Sequence, residues 1–197
     1  VNTYTGTTTI NSGSLQISTN ANIGASSAPL TFGSGTLNTT ASFTLPATRT
    51  ITINSSGTFD TNSGVITTVD SPIGGSGSLI KKGTGVAVLT NSSNTYSGGT
   101  DLQEGTLAVS ANSALSTGSL TFSTNAGNIF QANAAGLSFS NPIILTTDGV
   151  IQPNSNTLTL SGNITGASAF TTQGLGTTVL SGTNTYSGST TITTSTL

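Results

Sequence analysis

Eight side chains hold all the charge this chain can offer to acid, base or metal chemistry: Arg49, Asp60, Asp70, Lys81, Lys82, Asp101, Glu104 and Asp148. Glycoside cleavage needs two carboxylates flanking one bond, and metal-assisted lyase chemistry needs a carboxylate cluster or a carboxylate–Arg set. Asp101 and Glu104 share one motif and are the nearest approach to such a pair. No carboxylate stands at the corresponding places in the other two copies of that motif, so the pair is not repeated. No His is present to serve as a base at neutral pH, and no Cys to serve as nucleophile, metal ligand or disulfide partner. The serines have no base beside them and no Gly-x-Ser-x-Gly elbow between strand and helix. Gly74-Gly75-Ser76-Gly77 lacks the Gly-Lys-Ser/Thr that a phosphate loop requires. The expectation is no enzyme, no catalytic residue, no metal and no cofactor.

Composition narrows the partners as well. Charged residues make up 4% of the chain, against about 25% in ordinary domains. Three cations cannot form the basic patch that nucleic acid or an anionic membrane surface demands. The hydrophobic share is only 32%, yet the net charge is −2, so the high-charge condition for disorder fails. Thr, Ser, Asn and Gly fill more than half of the sequence. That is the make-up of many short strands, tight turns and an uncharged polar surface. No signal peptide and no apolar run long enough to span a membrane is present, so direct membrane insertion is not expected.

The elements that would position any side chain come from a repeat. Asn2-Thr3-Tyr4-Thr5-Gly6, Asn94-Thr95-Tyr96-Ser97-Gly98 and Asn184-Thr185-Tyr186-Ser187-Gly188 are near-copies, with the tyrosines 92 and 90 residues apart. The likeness extends further. Leu30-Thr31-Phe32 returns as Leu120-Thr121-Phe122, and Gly83-Thr84-Gly85-Val86-Ala87-Val88-Leu89 returns as Gly174-Leu175-Gly176-Thr177-Thr178-Val179-Leu180. Units of about 1–92 and 93–182 follow, with a partial third over 183–197. The chain opens inside one copy and stops inside another, which reads as a segment of a longer protein.

Within each unit, apolar and polar residues alternate, as in Ile51-Thr52-Ile53, Leu137-Ser138-Phe139 and Leu158-Thr159-Leu160. Period two is the signal of a strand with one face buried. No stretch has helical periodicity; Ala132 to Gly136 is the only weakly helical spot. Short strands in long-period copies predict an all-β solenoid, a parallel β-helix laid down as one continuous segment. A coil of three strands and turns takes about 20–25 residues, so a unit holds about four coils and the chain eight or nine. Aliphatic residues are expected to fill the narrow lumen in ladders, with Leu107 and Val88 pointing inward and Asp148 outward.

One segment carries a family likeness. Leu79-Ile80-Lys81-Lys82-Gly83-Thr84-Gly85-Val86-Ala87-Val88-Leu89, then Asn94-Thr95-Tyr96-Ser97-Gly98-Gly99-Thr100, then Glu104-Gly105-Thr106-Leu107, resembles the passenger-associated transport repeat (autotransporter-associated β-strand repeat) of bacterial autotransporter passengers. The second copy has Thr172 and Gln173 where Lys81 and Lys82 stand, and the third has Ser195 where Gly105 stands. The resemblance implies a right-handed parallel β-helix outside a Gram-negative cell. It also implies export of the parent protein through an outer-membrane translocator barrel, with the repeat aiding passage.

The motif residues Asn2, Tyr4, Gly6, Asn94, Tyr96, Gly98, Gly105, Leu107, Asn184, Tyr186 and Gly188 are read as structural. Asn tolerates left-handed backbone and can cap a corner with its amide. Each Tyr is expected to clamp a turn against the coil beneath, with its hydroxyl at the surface. The function that follows is an adhesive or stalk segment whose partner is a host-cell or glycan surface. The alternative is a self-associating fibre or surface-layer subunit. A polysaccharide-cleaving or ice-binding surface ranks below both. The Thr-x-Thr pairs Thr7/Thr9, Thr50/Thr52, Thr157/Thr159 and Thr191/Thr193 recur at intervals of 43, 107 and 34, taken here as incommensurate with one coil.

Overall fold

The computed structural model describes the backbone throughout and every side chain except those of Asn125 and Ala126. Parallel strands wind into a solenoid of about nine coils, with one short 3-10 turn at Asn20–Ile23. Ala132 to Gly136 carries no helix. Each full coil visits three faces in turn. The first face begins with Thr8–Ile10, Leu30–Phe32, Ile51–Ile53 and Ile73–Gly74, joined in that order. The second begins with Ser14–Ile17, Thr36–Thr39, Ser56–Thr61 and Ser78–Lys82. The third begins with Phe43–Leu45, Ile66–Val69 and Val86–Leu89. The long strands Thr100–Val109 and Leu120–Ala132 bend across the corner between the second and third faces. Gly105 makes the first of these bends at φ 68, a conformation that L side chains avoid.

Register partners lie 20 to 24 residues apart, most evenly on the first face. Thr8, Leu30, Ile51 and Ile73 are register partners, spaced by 22, 21 and 22 residues. The corners absorb the differences in length, so each inward residue stands over its counterpart one coil below. On the third face one inward ladder runs Phe43, Thr67, Ala87, Leu107, Phe130, Ile151, Thr172. On the second face Leu15, Leu37, Phe59, Lys81, Leu102, Phe122 and Leu145 form another. Burying each large apolar side chain contributes roughly 1.5–3 kcal/mol before entropy is subtracted.

Two expectations about the lumen need correction. Aromatic rings fill much of it: Phe32, Phe59, Phe122, Phe130 and Phe170 are fully buried. Phe32 and Phe59, neighbours on adjacent faces, tilt together at 5.6 Å between centroids. A ring can extend across a lumen bounded by three short strands and meet a ring from another face. Val88 is the second correction. Ala87 and Leu89 point inward and Val88 outward, because the uniformly apolar run Val86–Leu89 carries no phase of its own. Register with Thr67 and Leu107 sets it instead.

The threonine pairs also fall differently. Thr9, Thr31 and Thr52 are in register on the first face, so the 43-residue interval equals two coils. Thr191 lies on the third face, in register with Thr171.

Candidate functional site

The repeated Asn-x-Tyr-x-Gly corner is the most elaborate polar arrangement in the molecule. In every copy the Tyr hydroxyl shares a hydrogen bond with the Thr hydroxyl four residues on: Tyr4 with Thr8, Tyr96 with Thr100 and Tyr186 with Thr190, each at 2.7 Å. Three independent copies reach one distance because the backbone between them makes the same turn. The copies differ in cover. Tyr96 is wholly buried, whereas Tyr4 is 44% exposed. The expected surface hydroxyl is therefore wrong for Tyr96: the chain near Ala114 closes over it. Burial pushes its phenol well above the ordinary tyrosine range, partly offset by Thr100.

The asparagines tie neighbouring coils together. The Ile73 N–H donates to Asn94 Oδ1 at 2.9 Å, and Asn94 Nδ2 donates upward to the Ala114 carbonyl at 2.9 Å. Asn184 accepts from the Ile164 N–H at the same 2.9 Å. Asn2 donates to the Asn22 carbonyl at 2.7 Å. One amide thus satisfies backbone groups that a strand ending at a corner leaves open. The motif glycines answer to close approach. A Cβ on Gly98 would lie 2.5 Å from the Gly77 carbonyl carbon, and one on Gly188 would strike Ser168. Gly6 has nothing within 4 Å. A Cβ on Gly105 would strike the Gly83 carbonyl oxygen, and Leu107 fills the lumen two residues later.

Beside this corner sits a group that sequence inspection did not place. Lys81 is inward and 1% exposed, in the middle of an apolar ladder. Its ammonium donates to the carbonyls of Lys82 and Gly83 at 2.7 Å each and of Glu104 at 3.1 Å. Burial lowers its pKa to about 8; the nearby carboxylates of Asp60 and Glu104 pull the other way. A strand read by alternation alone does point Lys81 the same way as Leu79, which was the available signal. Arg49 is likewise fully buried, donating to Asn20 Oδ1 and to the carbonyls of Ile23, Ala25 and Ala28. It braces the loop around the 3-10 turn.

The charged residues are otherwise dispersed. Asp101 points outward and accepts from Ser123 and Gln103. Asp148 accepts from the Ala169 N–H at 2.9 Å. No group of three or more acidic side chains able to hold a metal ion occurs among the described residues. The Asp101–Glu104 pair is split by the bend: Asp101 belongs to the second face, and Glu104 lies beside the corner glycine.

Residues 1–17, 79–109 and 170–197 match the passenger-associated-transport-repeat family. These stretches contain the three corners just described. The chain carries passenger-associated transport repeats. A relative, an adhesin described as the BmaC autotransporter of Brucella suis biovar 1 (strain 1330), is 34% identical over 167 residues. That alignment takes in 84% of this chain and 4% of the relative. No solved structure matches the chain. In the matched stretches, then, the Asn side chains stitch coil to coil, each Tyr holds the Thr of its own corner, and Gly98 and Gly188 lie tight against the coil beneath.

Proposed function

We propose that this chain is a length of autotransporter passenger shaft displayed on a Gram-negative cell surface, where it serves as a stalk and an extended adhesive face. The observation that supports it is the continuous stack itself: its specialised polar residues are used internally, to hold coils together, and its outer faces are neutral and hydroxyl-rich. Affinity on such a surface comes from many weak contacts summed along the rod. The partner class proposed is a host-cell or glycan surface, and the parent protein reaches the outside through its translocator barrel. The role is non-catalytic. The repeat units about 1–92 and 93–182, with a third beginning at 183, are units of one shaft.

The purified chain, coupled to beads at high density, is the material for the test. Beads bearing it should adhere to epithelial cells or to a glycan array above the level of beads bearing an unrelated β-solenoid. Equal retention of both kinds of bead removes the adhesive part of the proposal.

A further inference from the structure

The sequence repeat and the coil do not keep step. Four coils carry the first face from Thr8 to the neighbourhood of Asn94, since the Thr95 N–H donates to the Ile73 carbonyl at 2.8 Å. The repeat carries Thr8 to Thr100, six residues past Asn94. Six residues is one strand and one corner, the separation between Thr8 and Ser14. Thr100 therefore lands on the second face, in register with Leu79. The next step repeats the shift: Thr190 is in register with Phe170 on the third face. The tyrosine corners move with it. The Tyr4 carbonyl accepts from Ala25, at the third-face end of the first coil. Tyr96 is flanked by bonds from Thr95 and Ser97 to Ile73 and Gly75 on the first face. Tyr186 is flanked by bonds from Thr185 and Ser187 to Ile164 and Gly166 on the second.

We propose that the repeat length is four coils and one face, so that an array of copies turns its corner by a third of a turn per copy and shows the same corner in three directions. The axial step is about 21 Å at ~4.8 Å per coil. A given direction meets its corner again only after three copies, about 62 Å along the axis. Such a rotation is permitted because the three faces are alike to the chain: each is a short strand, one or two inward residues and a turn. A partner gripping the outward residues that flank each corner then finds them all round the shaft and not along one side. That last consequence rests on the adhesive-shaft proposal; the rotation does not.

The chain has no cysteine, so a double variant has one possible disulfide. Strand neighbours at ~4.8 Å are within the Cα range a disulfide spans. T171C/T191C joins outward residues that are in register on the third face. T165C/T191C joins those that would be neighbours if the repeat were a whole number of coils. Under one mild oxidant, T171C/T191C should close at least tenfold faster. I80C/D101C against G74C/D101C repeats the test at the first junction, where Ile80 is the register partner of Asp101. The proposal is overturned if T165C/T191C closes as fast, or if T171C/T191C does not close. Loss of adhesion with the crosslink pattern intact overturns the function and leaves the rotation standing.

Discussion

The corner at Lys81 and the corner at Thr172 occupy one position of the repeat and close the lumen by different means. At Lys81, a cation reaches the end of the strand and gathers three carbonyls. At Thr172, the hydroxyl bonds to Thr178 at 2.8 Å and accepts from Ser195 Oγ at 3.2 Å. Ser195 stands where Gly105 stood, and the left-handed residue moves one place back, to Thr194 at φ 56. Glycine supplied room at the first corner; serine supplies a hydroxyl at the second. The comparison teaches that a corner with one left-handed residue is kept, while the place of that residue and the polar group filling the corner are negotiable. A cation satisfies more carbonyls but must be stripped of water; hydroxyls satisfy fewer and carry no such desolvation cost.

That difference can be broken from either side. Lys81→Ala leaves three part-buried carbonyls without their donor and should cost about 3 kcal/mol in urea unfolding, whereas Thr172→Ala should cost about 1 kcal/mol. Equal costs would mean that the ammonium is not the group closing its corner. Next in size is Gly98→Ala, whose Cβ has the Gly77 carbonyl carbon in its way; roughly 1–3 kcal/mol of overpacking is expected. Gly6→Ala meets open space and should change stability by no more than about 0.5 kcal/mol.

The pH dependence isolates the cation. Lys81 titrates near pH 8 in the folded chain and near 10.5 when unfolded, so the unfolded chain binds more protons between those values. Stability should therefore rise with pH through that window. From pH 7.5 to 9.5 the gain is roughly 2 kcal/mol, and it should vanish in Lys81→Ala. The raised Tyr96 phenol acts in the opposite direction, but only once unfolded tyrosine begins to ionise near pH 10, which is why the window stops below that. A flat or falling profile in the parent chain would show that the three carbonyls hold the ammonium charged despite its burial.

The smallest effect compares two tyrosines. Tyr96→Phe leaves the Thr100 hydroxyl buried without its partner and should cost about 1 kcal/mol. Tyr4→Phe leaves Thr8 to water and should cost almost nothing. Paired thermal melts of the two variants measure this difference directly, and its absence would show that cover by the next coil does not set the strength of the clamp.

Strand, turn and repeat were legible because they are written locally. Alternation at Ile51–Ile53 and Leu158–Leu160, and the spacing of Tyr4, Tyr96 and Tyr186, need no knowledge of what lies above or below. The corner motif could be recognised, but not the partners of its side chains. Nothing near Asn94 in sequence points to Ile73 or Ala114, some twenty residues away in either direction. Val88 was misassigned for a related reason: a run with no polar residue has no phase until a neighbour supplies one. The threonine intervals mislead because no motif states the coil length: 43 is the sum of one coil of 22 residues and one of 21.

From its residues alone this chain was bound to be a neutral, strand-rich rod of stacked copies, since period-two burial and glycine–asparagine corners leave few other ways to cover its aliphatic side chains. Only the wound structure decided which residue covers which, that Lys81 lies inside, and that each copy of the corner looks out in a new direction. Those outcomes depend on the accumulated length of every corner between two strands, a quantity spread over the whole coil and held in no single motif.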